Sequence, residues 1–241
     1  MNVALIFAGG SGIRMNSKSK PKQFLELYGK EIIVYTVEIF QNHPSIDKIL
    51  VVCLETWIDH MKYLVKKYAL DKVVEIVPGG RNTQESQYFG LQAISNWKDV
   101  DDNTIVLIHD GVRPLLDEDT ITRNIESVED FGSAITVTDA TETIMYLGEE
   151  QYSAEVIDRK RCRMAKAPQS YYLKDIYSAH LQSIKEENYD FIDSACMMQY
   201  YGHKLHMVEG NIENIKITTP TDFYLFRAIK DAKENSQIWG L

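Results

Sequence analysis

The chain has 241 residues, 44% of them apolar, and a formal net charge of −9 at pH 7. It is long enough for one good-sized core, and its acidity argues against a nucleic-acid partner, because phosphate backbones are held by an excess of Lys and Arg. No apolar run reaches the roughly 20 residues of a membrane span. The three cysteines, Cys53, Cys162 and Cys196, are scattered without a CxxC pair, which fits a reducing cytoplasm and argues against a disulfide scaffold or a zinc site.

Residues 3–8 are a continuous apolar run with no basic segment ahead of it, so they read as a buried strand and not as a signal peptide. Residues 32–40 have helical spacing, 46–54 form a second strand, and 57–68 an amphipathic helix. A short strand at 73–77 ends in Pro78-Gly79-Gly80, followed by a helix over 85–97. The strand 104–109 leads to a helix over 119–131 entered through Asp117, a plausible cap, and to a strand at 134–138. Strands that are apolar throughout and alternate with helices predict a mostly parallel, doubly wound α/β sheet. The pattern loosens over 139–164, where two β-prone runs flank a polar turn and read as a protruding β-arm. Helices follow at 171–187 and 193–201, short strands at 204–208 and 215–218, and a closing helix over 221–235 capped by Thr221. With no internal repeat and no linker, 1–241 reads as a single domain.

The first strand runs into "GGSGIRMNSKSKPKQF" (9–24), rich in glycine and cations. It lacks the GK[ST] of a P-loop and the third glycine of a dinucleotide fingerprint. The physics survives: glycines after a strand let backbone N–H groups approach phosphate oxygens, while Arg14 and Lys22 add positive charge. In open α/β sheets such loops lie at the carboxyl ends of the strands, where ligands bind.

Further motifs follow in order: "GGRNTQES" (79–86), "HDGVRP" (109–114), "ETI" (142–144), "DR" (158–159), "PQSY" (168–171), "DSA" (193–195) and "NIKITTPTD" (214–222). Together with "AGGSGIRM" (8–15) and "PKQF" (21–24) they resemble the cytidylyltransferases of polyol phosphates, which include the 2-C-methyl-D-erythritol 4-phosphate and D-ribitol 5-phosphate enzymes. The resemblance covers nearly the whole chain. It implies a Rossmann-like nucleotidyltransferase fold and a cytoplasmic enzyme that converts CTP and a polyol phosphate into a CDP-polyol and pyrophosphate. The acceptor is a phosphate monoester with a second pKa of about 6, already largely dianionic near neutrality, so no general base is needed. Charge neutralisation and in-line positioning are needed instead.

Matched position by position, the resemblance implies that Arg14 and Lys22 are catalytic, acting on the CTP phosphates. Ala8, Gly9, Gly10, Ser11 and Gly12 would wrap the nucleotide, and Gly80, Arg81 and Ser86 would read cytosine. Asp110, Arg113, Thr143, Arg159 and Lys216 would serve the acceptor, with Thr143 and Arg159 carried on an arm that reaches a neighbouring subunit. A homodimer with arm exchange is therefore expected. So is Mg²⁺, held mainly by the CTP phosphates with no dedicated protein metal site. In the base-reading loop the arginine directly follows the glycine pair, where the family often has it two places later. "HDGVRP", where the methylerythritol enzymes usually read HDAARP, resembles the ribitol and capsular branch.

Plainer readings compete at several positions. Lys216 lies in a run whose polar face would be solvated, Arg159 sits in the basic cluster "DRKRCR", and His203 and His206 read as a surface pair. Cys53 reads as a buried filler. A ribitol 5-phosphate or related wall or capsule alditol phosphate is the expected acceptor, with methylerythritol phosphate of isoprenoid synthesis as the alternative. An NAD-dependent oxidoreductase would need the missing glycine. A non-catalytic nucleotide-binding protein is the alternative of another class, and Arg14, Lys22 and Lys216 speak against it.

Overall fold

A computed structural model describes residues 1–9, 20–149 and 153–239. The elements follow in the order β1 (Asn2–Ala8), β2 (Glu26–Leu27), β3 (Lys30–Glu31), α1 (Ile32–Asn42), β4 (Lys48–Cys53), α2 (Ile58–Lys67), β5 (Val73–Pro78), α3 (Thr83–Ser95), β6 (Ile105–Asp110), α4 (Glu118–Phe131), β7 (Ser133–Asp139), β8 (Ile144–Leu147), β9 (Ser153–Ile157), β10 (Arg163–Tyr172), α5 (Leu173–Lys185), α6 (Ser194–Tyr200), β11 (Met207–Glu209) and α7 (Pro220–Trp239).

Alternate residues of β1 serve two different cores. Val3 and Leu5 pack with Leu50, Val52, Val106 and Ile108 beneath α3, α5 and α6, represented by Leu91, Ile176 and Met197. Ala4 and Ile6 pack with Ile49, Val51 and Leu107 beneath α1, α2 and α4, represented by Val37, Met61 and Ile125. Burial on both faces is why these strands are apolar at every position. A third, smaller cluster seats α7: Phe226 packs with Ile32, Val112, Leu115 and Ile217.

The central sheet has seven strands in the order β11-β7-β10-β6-β1-β4-β5. Every neighbouring pair is parallel except those of β10, which runs antiparallel to both β6 and β7. The expected mostly parallel, doubly wound sheet is thus present. Among the described residues, no helix is long and apolar enough to cross a membrane.

The chain departs from the sequence reading at several places. Residues 163–172 are the strand β10, where that reading gave 163–164 to the arm, 171–172 to a helix and 165–170 to no element, and the following helix starts only at Leu173. The run 215–218 is not a strand but an extended segment, tied to its neighbour by Ile217 N donating to Val112 O at 2.9 Å. The expected strand 204–208 is found later and shorter, at Met207–Glu209. Helix α3 starts two residues earlier than predicted, because Asn82 accepts the Glu85 N–H at 2.8 Å and caps it. Thr219, not Thr221, opens α7. Its hydroxyl accepts from Asp222 N at 3.4 Å, while the Asp222 carboxylate accepts from Thr219 N at 2.7 Å, a reciprocal cap with Pro220 at the first helical position.

Asp117 caps α4 as expected, accepting from Thr120 N at 2.7 Å, and Gly132 closes the same helix at φ 80°. Strands β8 and β9 pair antiparallel outside the central sheet, Ile144 opposite Ile157 and Met145 opposite Val156. The turn between them falls partly outside the described residues.

Candidate active site

Six strands of the central sheet run in one direction, so their carboxyl ends share one edge. The sequence-predicted residues are distributed along it. Ala8 ends β1 and Gly9 follows it, Gly80 follows β5, Ser86 lies in the first turn of α3, and Asp110 ends β6. Strand β10, running the other way, brings its N-terminal half to the same edge. Continued past the Gln169–Ile108 pair, its register sets Ala167 opposite Asp110.

The "PKQF" segment is held by its own side chains. It forms a 3₁₀ turn over Lys22–Phe24. Gln23 is buried and donates from Nε2 to the Ala8 carbonyl, while Phe24 stacks on Trp57 with ring centroids 4.6 Å apart. Two anchors therefore fix Lys22 beside the end of β1. Arg14, Gly10, Ser11 and Gly12 lie outside the described residues.

Ser86 organises the second glycine loop. Its Oγ accepts from Gly80 N at 2.9 Å and donates to Asn82 O at 2.8 Å, and a Cβ placed on Gly9 would lie 3.8 Å from the same oxygen. Gly9 and Gly80, which follow β1 and β5, thus both lie close to one hydroxyl. Arg81 takes a different direction. Its side chain is 88% exposed and folds back on Glu85, Nη2 to Oε1 at 3.0 Å, lining a separate cavity with Tyr88, Phe89, His180 and Tyr189.

Asp110, Arg113 and Lys216 form the charged centre of the cleft. Lys216 Nζ lies 2.7 Å from Asp110 Oδ1, Arg113 Nε lies 2.9 Å from Oδ2, and Arg113 Nη1 donates to Asn214 O at 2.9 Å. Burial opposes the charge on Asp110, but Lys216 and Arg113 outweigh it and hold the carboxyl well below the usual carboxylate range. The adjoining His109 is fully buried, and burial lowers its pKa to about 4, so the ring is neutral. Gly111 is obligatory for this backbone: a Cβ there would lie 2.6 Å from Phe7 O and 2.5 Å from Ile33 Cδ1.

The cleft, about 220 Å³, is lined by Phe7, Asp110, Arg113, Lys166, Gln169, Asp193 and Lys216, among others. Gln169 is pinned from both ends. Its Oε1 accepts from Ala195 N at 2.9 Å and from the Ser194 hydroxyl, and its Nε2 donates to Asp193 Oδ2 at 3.0 Å. This explains the "PQS" and "DSA" motifs as two halves of one contact. Lys166 is a lining cation that the sequence reading missed, because it falls in 165–170, which that reading assigned to no element. Thr143 and Arg159 do not line this cleft. Both are exposed at the base of the β8–β9 hairpin, where Arg159 Nη1 donates to Thr141 O at 2.8 Å.

Other singled-out residues have structural roles. Cys53 is buried, and burial pushes its thiol up to about 12, leaving an inert filler. His206 bonds Ser127 Oγ through Nδ1 at 2.8 Å and stacks on Phe131. Among the described residues, no three His, Cys, Asp or Glu side chains are grouped to hold a metal ion.

A cleft that offers cations at a parallel sheet's carboxyl edge, beside two glycine loops, serves reactions in which anions must meet against their repulsion, and so defines a nucleotidyltransferase. The chain belongs to the 2-C-methyl-D-erythritol 4-phosphate cytidylyltransferase (IspD) family, whose sequence model matches residues 2–231. A ribitol-5-phosphate cytidylyltransferase of Streptococcus agalactiae serotype V is 50% identical over 241 residues, covering 100% of both chains. A 2-C-methyl-D-erythritol 4-phosphate cytidylyltransferase of Clostridium botulinum (Loch Maree, type A3) is 37% identical over 224 residues, 93% of this chain and 95% of the other. Among solved structures, the 4-diphosphocytidyl-2C-methyl-D-erythritol synthase of Anaerococcus prevotii superposes with a TM-score of 0.81 at 25% identity, covering 95% of this chain and 96% of that one.

Proposed function

We propose that the protein transfers CMP from CTP to D-ribitol 5-phosphate, or a closely related alditol phosphate, and releases pyrophosphate. The observation that carries the acceptor is the 50% identity, over the full length of both chains, to a ribitol-5-phosphate cytidylyltransferase. The observation that carries the chemistry is the cationic cleft built on Asp110, Arg113 and Lys216.

In this reading Ala8 to Gly12, Gly80 and Ser86 cradle the nucleotide, and Arg81 contributes from the rim. Arg14 and Lys22 neutralise charge that builds at the α-phosphorus as the acceptor phosphate attacks in line and pyrophosphate leaves. Lys216 and Arg113, oriented by Asp110, hold the acceptor, and Thr143 and Arg159 reach its phosphate from the arm of a second subunit. Mg²⁺ would be held mainly by the CTP phosphates and would offset part of their charge. That arrangement fits a cleft in which both oxygens of Asp110 are already taken by cations. The enzyme works in the cytoplasm as a homodimer.

Methylerythritol phosphate is the second reading, supported by the family match and the clostridial relative. The deciding experiment incubates the protein with CTP, Mg²⁺ and a panel of polyol phosphates and follows pyrophosphate release. Ribitol 5-phosphate is expected to be the best acceptor. A higher kcat/KM with methylerythritol phosphate would overturn that assignment, and no release with any acceptor would remove the enzymatic reading.

A further inference from the structure

Among the described residues, the charged side chains lining the cleft are Asp110, Arg113, Lys166, Asp193 and Lys216. Four of them are committed to opposite charge or to donors within the wall. Lys216 and Arg113 share Asp110 at 2.7 and 2.9 Å, and Asp193 accepts from Gln169 Nε2 at 3.0 Å while capping α6 through Cys196 N at 2.9 Å. Lys166 differs. Its Nζ donates to two backbone carbonyls, Ile212 O at 2.9 Å and Asn214 O at 3.3 Å, and among the described residues no carboxylate reaches it.

The backbone is shaped to put Lys166 there. The pairing of β10 with β7 is interrupted between Ala165 and Gln169. The carbonyls that leave the ladder are taken up by side chains: Asn214 Nδ2 donates to Ala167 O, and Thr136 Oγ1 to Pro168 O, both at 2.7 Å. Such irregularities redirect side chains at functional edges. Burial, and then the nearby Arg113, lower the Lys166 pKa, as expected of an ammonium lacking an anionic partner.

We propose that Lys166 is a specificity-determining residue for the acceptor: its ammonium supplies the positive charge that the wall does not balance internally, and it attracts the acceptor's phosphate. The assignment rests on the reading of the cleft as a polyol-phosphate site. Without Lys166, the described lining would hold two cations and two carboxylates, and a dianion would gain little from this wall. β10 lies next to β6 on the side away from β1 and the glycine loops, so the charge falls on the acceptor's half of the cleft.

The test compares the wild type with Lys166→Met, Lys166→Gln and Lys166→Arg. Gln keeps a donor for the 212 and 214 carbonyls without the charge, and Arg keeps the charge. KM for ribitol 5-phosphate is expected to rise about tenfold in Met and Gln at low salt, with kcat and the KM for CTP within about twofold. The penalty should shrink as salt is raised, and Arg should stay within about threefold of the wild type. Titration with inorganic phosphate by calorimetry needs no turnover and should show several-fold weaker binding in Met and Gln. Wild-type behaviour of Gln would reduce Lys166 to a clamp on the 212–214 carbonyls and overturn the proposal. So would equal phosphate binding in all four proteins, or a loss independent of salt. A wild type inactive with every polyol phosphate would overturn the functional reading instead, and the phosphate titration would still decide the role of Lys166.

Discussion

Lys216 reaches from the segment before the last helix to place its Nζ 2.7 Å from Oδ1 of Asp110, at the carboxyl end of β6. Two packing events set this contact. Ile217 is buried in the cluster that seats Phe226 of α7, and its N–H bonds Val112 O at 2.9 Å. The residue before it is thereby delivered to the cleft.

Asp110→Asn removes the carboxylate that orients both Lys216 and Arg113. We expect kcat/KM for the acceptor to fall about 100-fold or more, because two cations lose the group that aims them. The acid limb of the pH profile should persist near pH 6 in both proteins, since it belongs to the acceptor's second phosphate ionisation and not to Asp110. Initial rates from pH 5 to 9 check this. A limb that disappears with Asp110 would refute it.

This contact also marks how far the sequence could be read. The strands β1, β4 and β6 were legible because burial on both faces leaves nothing but apolar residues, and Asp110 and Arg113 were legible because they end such a strand. β10 was not legible. Its first half carries Arg163 and Lys166 and is largely exposed, its ladder is interrupted around Pro168, and its direction is set by the sheet it joins. Lys166 was hidden for the same reason. At 215–218 the β-branched residues suggested a strand, but their apolar side chains are buried against α7 and no ladder forms. Arg81 illustrates the reverse case: the motif drew attention to a side chain that pairs with its own helix.

Ser86 and Arg81 should therefore behave differently when removed. Ser86→Ala leaves Gly80 N without its partner, while Asn82 O still accepts from the residue-86 N–H, and should cost about 1–2 kcal/mol of stability. KM for CTP should rise, and the preference for CTP over UTP should weaken. Arg81→Ala removes an exposed helix pair, so the melting temperature should hardly move. Its KM for CTP should change by less than that of Ser86→Ala. Thermal melts and paired CTP and UTP kinetics measure both effects, and a larger kinetic defect in Arg81→Ala would give the arginine the base-reading role.

Acid should destabilise the fold through its buried histidines. Burial lowers His109 and His180 to about 4 and also lowers His43, whereas the unfolded imidazole titrates near 6.5. The unfolded chain then binds more protons than the native one between pH 4 and 6.5, so stability falls as pH drops through that window. His180→Phe lies outside the cleft and removes one of these groups. Chemical unfolding at pH 7.5, 6 and 5 should show its pH dependence reduced relative to the wild type. An unchanged slope would mean that His180 takes up no extra proton on unfolding.

The last expectation concerns assembly. Met145, Tyr146, Leu147 and Val156 on the β8–β9 hairpin are 55%, 60%, 79% and 59% exposed in the isolated chain. A two-stranded hairpin is marginal in water and needs a partner surface. Thr143 and Arg159 stand on it but do not line the cleft of their own chain. A two-fold dimer would bury the apolar residues and carry each arm to the other subunit's site. Lys22→Ala should lower kcat by about 100-fold with the fold intact, and Arg159→Ala should weaken the acceptor site. Mixed under subunit exchange, the two impaired variants form heterodimers in which one site carries both defects and the other carries neither. Activity should then return toward a quarter of the wild-type level, because half of the dimers are mixed and half of their sites are intact. If each arm serves its own subunit, every site keeps one defect and mixing restores nothing. That result, or a monomer in sedimentation at micromolar concentration, would remove the shared-site dimer.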